Sequence, residues 1–109
     1  MSTEDGTYEV RLERAAVEGL AELDKGDANR VLKKVEGLEH SPDQQGEPLG
    51  NRANIDLAGC RKLKLLNRRV RAIYRVEEGS VVRVIVIGKR EDMEVYRLAQ
   101  AELRRLGLA

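Results

Sequence analysis

Apolar and polar residues alternate near the start of the chain and then adopt a helical period. The alternation covers Tyr8–Leu12 and predicts a half-buried strand. The spacing that follows predicts an amphipathic helix. Its apolar face consists of Ala16, Val17, Leu20 and Leu23. Residues 1–7 are mostly polar, and we expect them to be a frayed start before a single domain over residues 8–107.

A second helical stripe begins after a break at Lys25 and Gly26. Asp27 is suited to be its N-cap, because a carboxylate can accept hydrogen bonds from the free N–H groups of a first turn. So short a break predicts an antiparallel helical hairpin. A long loop follows, marked by Pro and Gly between residues 42 and 50. The apolar residues expected to anchor this loop to the core are Leu49, Ile55 and Leu57.

The second half of the chain predicts three strands, because its period is two. In the first of them, which begins at Cys60, Leu63 and Leu65 share one face. Lys62 and Lys64 lie on the other face, since alternate residues of a strand point to opposite sides.

The next two strands are separated by a short turn. The apolar face of the second strand consists of Val70, Ala72, Tyr74 and Val76. Its cationic face consists of Arg69, Arg71 and Arg75. Asn67–Arg68 and Glu78–Gly79 are suited to the turns before and after this strand. Val81–Ile87 is almost continuously apolar, which predicts a central strand buried on both faces.

A last amphipathic helix is predicted over residues 91–106, with Gly107 placed to cap its end. The order β-α-α-β-β-β-α predicts an α+β fold. Three hairpin-linked strands form an antiparallel meander, and the first strand adds to it to give a four-stranded, mainly antiparallel sheet. We expect the helical hairpin to cover one face of this sheet and the cations to lie on the other.

Charge is distributed unevenly along the 109 residues. The first 60 residues hold seven Lys or Arg against 13 Asp or Glu, whereas residues 61–109 hold 13 against six. Residues 61–75 contain seven cations and no anion. Such a stripe favours an anionic partner, for example a nucleic acid. The alternative is a solvated strand face whose counter-charges come from the acidic half.

Composition argues against several classes of protein. No apolar run approaches the roughly 18 residues of a membrane span, and no signal peptide is recognisable before Tyr8. A single cysteine, Cys60, fits a reducing cytoplasm and a small buried apolar role. Together with the single histidine, His40, it disfavours structural zinc, and we expect no metal or cofactor. Carboxylates expected in a helical first turn rather than at a metal are Glu91, Asp92 and Glu94.

Four segments carry a resemblance to a known family. They are Cys60-Arg61-Lys62-Leu63-Lys64-Leu65, Val70-Arg71-Ala72-Ile73-Tyr74, Val86-Ile87-Gly88-Lys89-Arg90 and Glu94-Val95-Tyr96. With the order of elements from Tyr8 to about Leu106, they resemble the RelE/ParE toxin superfamily. The chain is most similar to the RelE branch, the ribosome-dependent mRNA endonucleases of toxin–antitoxin pairs. The functional positions of that branch fall on Lys62, Lys64, Arg71, Arg90 and Tyr96.

The resemblance implies metal-independent cleavage of mRNA in the ribosomal A site, which inhibits translation. In such a reaction the RNA 2′-OH attacks the adjacent phosphate. Lys62 and Arg71 would hold the scissile phosphate. A partly neutral Lys64 would be the general base, because crowded like charges disfavour protonation, although either lysine fits this role. Arg90 would assist the leaving oxygen, and Tyr96 would stack on or orient the attacked nucleotide.

Further cations are expected to bind RNA, namely Arg61, Arg68, Arg69, Arg75 and Lys89. The partners implied are the ribosome, mRNA and a RelB-, RelF- or YefM-like antitoxin, and the location implied is the cytoplasm. Two alternatives stay open. One is a ParE-like toxin that inhibits gyrase without nuclease activity. The other is a protein of the same fold that has lost its activity and serves only in a complex or in autoregulation.

Overall fold

The computed structural model describes residues 7–52, 55–89 and 93–108, and these form the predicted α+β fold. The helices are α1 (Arg14–Ala21), α2 (Lys25–Glu36) and α3 (Glu94–Arg105). The strands are β1 (Glu9–Leu12), β2 (Glu47–Pro48), β3 (Asn51–Arg52), β4 (Ile55–Asp56), β5 (Cys60–Leu65), β6 (Val70–Glu77) and β7 (Val81–Lys89).

Across the described residues, five strands form one sheet in the order β1-β7-β6-β5-β2. β1 runs parallel to β7, and the other neighbours are antiparallel. β3 and β4 form a separate two-stranded hairpin. The predicted meander and the added first strand are confirmed. The predicted count of four strands omits β2, because a strand of two residues is too short to show any alternation in the sequence.

The helical hairpin of α1 and α2 covers one face of the sheet, as predicted. Ala16 of α1 and Val31 and Val35 of α2 are fully buried in the core on this side. α1 lies directly on β7 at Gly19, where a Cβ atom would stand 1.7 Å from the carbonyl oxygen of Ile87. Only glycine permits so close an approach of the two backbones.

The opposite face carries a second apolar core, which corrects the expectation that this face is left to the cations. α3 packs over it together with Leu49, Ile55 and Leu57. The sequence pattern concealed this core because Ile73 of β6 and Ile85 of β7 add apolar groups to the face that the arginines define. The cations therefore share this face with an apolar core.

The start of α2 differs from the prediction. The helix begins at Lys25, and Asp24 is its N-cap, accepting a hydrogen bond of 2.9 Å from the backbone N–H of Asp27. Lys25 and Gly26 therefore lie inside the first turn of α2 instead of separating the two helices. The carboxylate of Asp27, predicted to be the cap, pairs with Arg30 at 3.1 Å.

Two further predictions about the fold agree with the structure, whereas the predicted frayed start falls mostly on residues 1–6, outside the described ranges. The loop is anchored as expected, since Leu49, Ile55 and Leu57 are at most 6% exposed. Gly107 follows α3 with a positive φ of 74°. The predicted start of the last helix at residue 91 lies outside the described residues. Within the described ranges, no helix has both the length and the apolar character needed to span a membrane.

Candidate active site

Three of the predicted catalytic residues are brought together by the pairing of β5 with β6. Lys64 lies directly opposite Arg71, and Lys62 lies opposite Ile73. Since directly opposed residues share a face of the sheet, all three cations lie on the α3 side. Lys62 is 6% exposed, whereas the Lys64 side chain is 30% exposed. We call Lys62, Lys64 and Arg71 the cation cluster.

The first turn of α3 contributes Tyr96, the fourth predicted catalytic residue. Nη1 of Arg71 donates a hydrogen bond to the Tyr96 hydroxyl, and the guanidinium carbon lies 5.9 Å from the centre of the ring. Because Tyr96 is 3% exposed, it holds Arg71 instead of presenting its ring to solvent. Nε of Arg71 is buried with no hydrogen-bond partner among the described residues. An unsatisfied buried donor is costly and needs an explanation, of which a functional role is one.

A carboxylate that the sequence analysis did not single out, Glu47, lies against the cation cluster. β2 places Glu47 directly opposite Lys62. Its Oε2 lies 3.2 Å from Nζ of Lys64, and its Oε1 lies 3.8 Å from Nζ of Lys62. Glu47 therefore offsets the crowding of like charges that the sequence predicts. No periodic signal reveals it, because β2 spans two residues and its partner strand is distant in sequence.

The predicted RNA-binding residues do not form one surface. Arg61 lies opposite Tyr74 on the face that α1 and α2 cover. Its Nε donates a hydrogen bond of 3.0 Å to the carbonyl oxygen of Gln45, which gives Arg61 a structural role. Arg75 lies on the same face as the cation cluster but at a distance from it along β6, and it pairs with Glu77 at 4.0 Å.

Three other predicted cations lie at the end of the sheet near the turn between β5 and β6. Arg68 is exposed in that turn, with a φ of 71°. Arg69 lies 3.8 Å from Asp27 of α2, and Lys89 is the last residue of β7. The predicted residues that lie outside the described ranges are Arg90, Glu91 and Asp92.

A second group of charged residues lies on the α3 side, at the other end of the sheet. Nη1 of Arg83, on β7, lies 2.8 Å from Oε2 of Glu13, which precedes α1. Nε of the same arginine donates a hydrogen bond of 2.9 Å to Glu77. The pKa of Arg83 is raised, first by the hydrogen bond to Glu77.

α3 joins this group through Glu102, which is 6% exposed. Glu102 accepts hydrogen bonds of 2.7 Å from Nη2 of Arg105 and 3.3 Å from the backbone N–H of Ala15 in the first turn of α1. The hydrogen bond from Arg105 is the main reason why the pKa of Glu102 is lowered. We call Glu13, Glu77, Arg83, Glu102 and Arg105 the ion-pair network.

Two residues with reactive side chains are buried, as the sequence predicts. Burial raises the pKa of Cys60 to about 11, so its thiol stays protonated near neutral pH. Tyr74 is fully buried, and its hydroxyl lies 2.6 Å from the carbonyl oxygen of Gln45 and 2.8 Å from that of Pro42. The side chain of His40 is 71% exposed.

Comparison with known proteins gives a match over most of the chain. A family model described as the ParE toxin of type II toxin–antitoxin systems matches residues 10–94. An Escherichia coli protein named as a RelE-like toxin is 29% identical over 98 residues. The matched region covers 89% of this chain and 98% of that protein.

Solved structures with this fold include the E. coli toxin RelE. An arginine double mutant of RelE in the free state is 28% identical, with a TM-score of 0.69, and the match covers 92% of this chain and 98% of that chain. The same mutant in complex with a peptide of the antitoxin, RelBc, is 33% identical, with a TM-score of 0.61. That match covers 85% of this chain and 94% of the other.

Proposed function

We propose that this chain, which belongs to the ParE toxin family of type II toxin–antitoxin systems, is a ribosome-dependent endoribonuclease. The RelE/ParE resemblance in the sequence is confirmed, and RelE toxins are among the solved structures to which the chain is similar. Within this family, we propose that the protein cleaves mRNA in the ribosomal A site and so inhibits translation.

The observation that carries this proposal is the convergence of Lys62, Lys64 and Arg71 on one end of the sheet. A phosphodiester that is attacked by its neighbouring 2′-OH gathers negative charge, and fixed cations stabilise that charge. The planar fork of Arg71 fits two phosphate oxygens, and Tyr96 fixes its orientation through the hydroxyl. Lys62 would hold the same phosphate as a second, nearly buried charge.

Proton transfer completes the proposed reaction. A base removes the proton of the 2′-OH while the leaving 5′-oxygen gains stabilisation or a proton. We assign the first role to one of the two lysines. Lys64 is favoured because its more exposed amine is the easier for the 2′-OH of a bound nucleotide to reach. The resemblance assigns the second role to Arg90. Stacking of the nucleotide on Tyr96 stays a prediction, and it requires the buried ring to become accessible.

Primer extension on a translated message, with and without the protein, tests the proposal directly. Cleavage within codons at the A site is expected when ribosomes are present, and none when the same RNA is naked. A chelator such as EDTA, added to preformed ribosomal complexes at a concentration that keeps ribosomes intact, is expected to leave cleavage unchanged, because the cations supply the charge that a metal would supply. Efficient cleavage of naked RNA that stops on chelation would contradict the proposal.

Inhibition of DNA gyrase is the second candidate, because the matching family model is that of ParE toxins. A gyrase inhibitor has no need for the joint presence of Lys62, Lys64 and Tyr96 around Arg71. A supercoiling assay with purified gyrase separates the two candidates. Inhibition of supercoiling without cleavage of mRNA would favour the gyrase inhibitor.

We also propose an acidic antitoxin as the partner, since a similar RelE structure contains an antitoxin peptide. A disordered tail that folds onto the toxin would cover the cation cluster and contribute carboxylates to it. Hydrogen exchange is expected to slow in β5, β6 and α3 when the antitoxin binds, and association is expected to slow as salt rises. Protection confined to α1 and α2 would argue against this mode of inhibition.

A further inference from the structure

We propose that Glu47 is a built-in counter-ion of the cation cluster, which the phosphate of a bound RNA strand displaces. This inference rests on the proposed function for the identity of the ligand. It assigns Glu47 a specific effect: the carboxylate lowers the affinity of the cluster for anions and keeps its lysines paired while no RNA is bound.

The distances place Glu47 where a phosphate would lie. Its two carboxylate oxygens lie 3.2 Å from Nζ of Lys64 and 3.8 Å from Nζ of Lys62, so one carboxylate contacts both ammonium groups. A phosphate bound to the two lysines would use the same ammonium hydrogens. Two anions cannot occupy this position together without strong repulsion, so binding of RNA requires the carboxylate to withdraw.

The backbone around Glu47 is anchored, so its position is a property of the fold. The carbonyl oxygen of Gln45 lies within hydrogen-bond distance of both the Tyr74 hydroxyl, at 2.6 Å, and Nε of Arg61, at 3.0 Å. At Gly46, with a φ of 65°, a Cβ atom would stand 2.4 Å from the carbonyl oxygen of Lys62. Only glycine allows β2 to approach β5 so closely, and the next residue then faces the cluster.

Exposure explains why this carboxylate can be exchanged. The Lys62 side chain is 6% exposed, and a buried ammonium group needs an anionic partner. The Glu47 side chain is 54% exposed, so it can move into water at a small cost. The lysine is therefore the more buried partner and the carboxylate the more exposed one, which is the arrangement expected of a counter-ion that gives way to substrate.

The test is binding of an RNA oligonucleotide with 2′-O-methyl groups, which keeps the phosphates but lacks the attacking hydroxyl. Glu47→Gln is expected to tighten binding by roughly fivefold to tenfold, because one negative charge close to the bound phosphate is removed. The matched control is Glu9→Gln on β1, at the opposite edge of the sheet, where the glutamate pairs with Arg11 at 2.9 Å. That change alters net charge equally and is expected to shift the dissociation constant less than twofold.

A second variant, Glu47→Asp, and a second ligand, inorganic phosphate, test whether the negative charge at residue 47 is what weakens phosphate binding. The aspartate keeps the negative charge, so its affinity for the oligonucleotide is expected to stay within about twofold of the parent. Titration with inorganic phosphate, followed by the NMR signals of Lys62 and Lys64, is expected to show the same tightening in Glu47→Gln. Unchanged or weaker binding of both ligands by Glu47→Gln would overturn the inference. Neither ligand can be cleaved, so this binding test does not depend on nuclease activity. Tighter binding by Glu47→Gln, together with no cleavage of translated mRNA by the parent, would refute the proposed function but not this inference.

Discussion

The two groups of charged residues on the α3 side differ in how completely their charges are matched. In the ion-pair network, Arg83 contacts the carboxylates of Glu13 and Glu77, and Arg105 contacts Glu102. In the cation cluster, the two lysines share one carboxylate among the described residues, that of Glu47. Matched charges hold elements together, whereas an excess of one sign creates a site for a ligand of the other sign.

α3 takes part in both groups. Tyr96, in its first turn, holds Arg71, and Glu102, six residues later, holds the start of α1. Six residues of helix correspond to about 9 Å along the axis. We therefore expect substitutions in the N-terminal turn of α3 to change cleavage activity. Substitutions near its C-terminus are expected to change the free energy of unfolding.

The largest effect is expected from Arg71→Ala. Loss of the phosphate-binding fork is expected to lower cleavage by more than about 100-fold and to abolish growth arrest. The free energy of unfolding is expected to change by less than about 1 kcal/mol, because the Arg71 side chain already has an unsatisfied buried Nε. By the resemblance, Arg90→Ala is expected to cause the same loss of activity.

Primer extension and urea denaturation measure the two effects of Arg71→Ala separately. Arg11→Ala is the matched control, since it removes an exposed cation on β1, and it is expected to keep full activity. A variant of Arg71 that arrests growth as strongly as the parent would refute the proposed phosphate site. A large decrease in the free energy of unfolding of Arg71→Ala would show that Arg71 has a structural role.

The next effect is expected at the other end of α3. Glu102→Ala is expected to lower the free energy of unfolding by about 1–2 kcal/mol, because Arg105 and the N–H of Ala15 lose their acceptor. Urea denaturation measures the change. Glu18→Ala, in an exposed pair 4.0 Å from Arg14, is the control and is expected to change stability by less than about 0.5 kcal/mol. Equal effects of the two substitutions would contradict a stabilising role for the ion-pair network.

A smaller effect is expected from Tyr96→Phe. The substitution keeps the ring in the apolar core but removes the hydroxyl that accepts from Arg71, so cleavage is expected to fall by about fivefold to tenfold. Single-turnover rates on ribosome-bound message measure the change, with Tyr8→Phe as the matched control. Full activity of Tyr96→Phe would show that orientation of Arg71 does not depend on this hydroxyl.

The smallest effect concerns acid. Arg105 lowers the pKa of Glu102 from the ordinary value of 4.5, so this carboxylate stabilises the folded protein above that pH. Its contribution is lost as the pH falls through the lowered pKa. Glu102→Gln is expected to flatten this part of the dependence of stability on pH. Urea denaturation at a series of pH values measures the free energy of unfolding of parent and variant. The same loss of stability in acid for both proteins would contradict this role of Glu102.

Local periodicity was sufficient to predict most elements of the fold. β5 and β6 were found because alternating residues such as Leu63 and Lys64 report a strand with two different faces. The α2 cap was misplaced because the charged residues Asp24 and Asp27 stand three positions apart, and either can cap a helix. A boundary of this kind depends on backbone angles that the residue types do not determine.

The parts that the sequence could not predict depend on contacts between distant segments. Lys62, Lys64 and Arg71 lie on one face, as alternation predicts. The presence of Glu47 among them follows from the pairing of a two-residue strand, which has no period. The burial of Tyr96 follows from the packing of α3 on the second core, which only the assembled fold determines.

The short length of β2 has a practical consequence. It pairs with Arg61 and Lys62 only, so in the part of the chain that the structure describes, no strand pairs with the outer edge of β5 at Leu63–Leu65. Uncovered edges recruit strands from other molecules, and a lysine on such an edge opposes this aggregation. Lys64 is that lysine, and its replacement by Ala is expected to lower the soluble yield during purification. Inactive protein for antibody production or biophysical work is therefore best obtained by substitution on the interior strand β6.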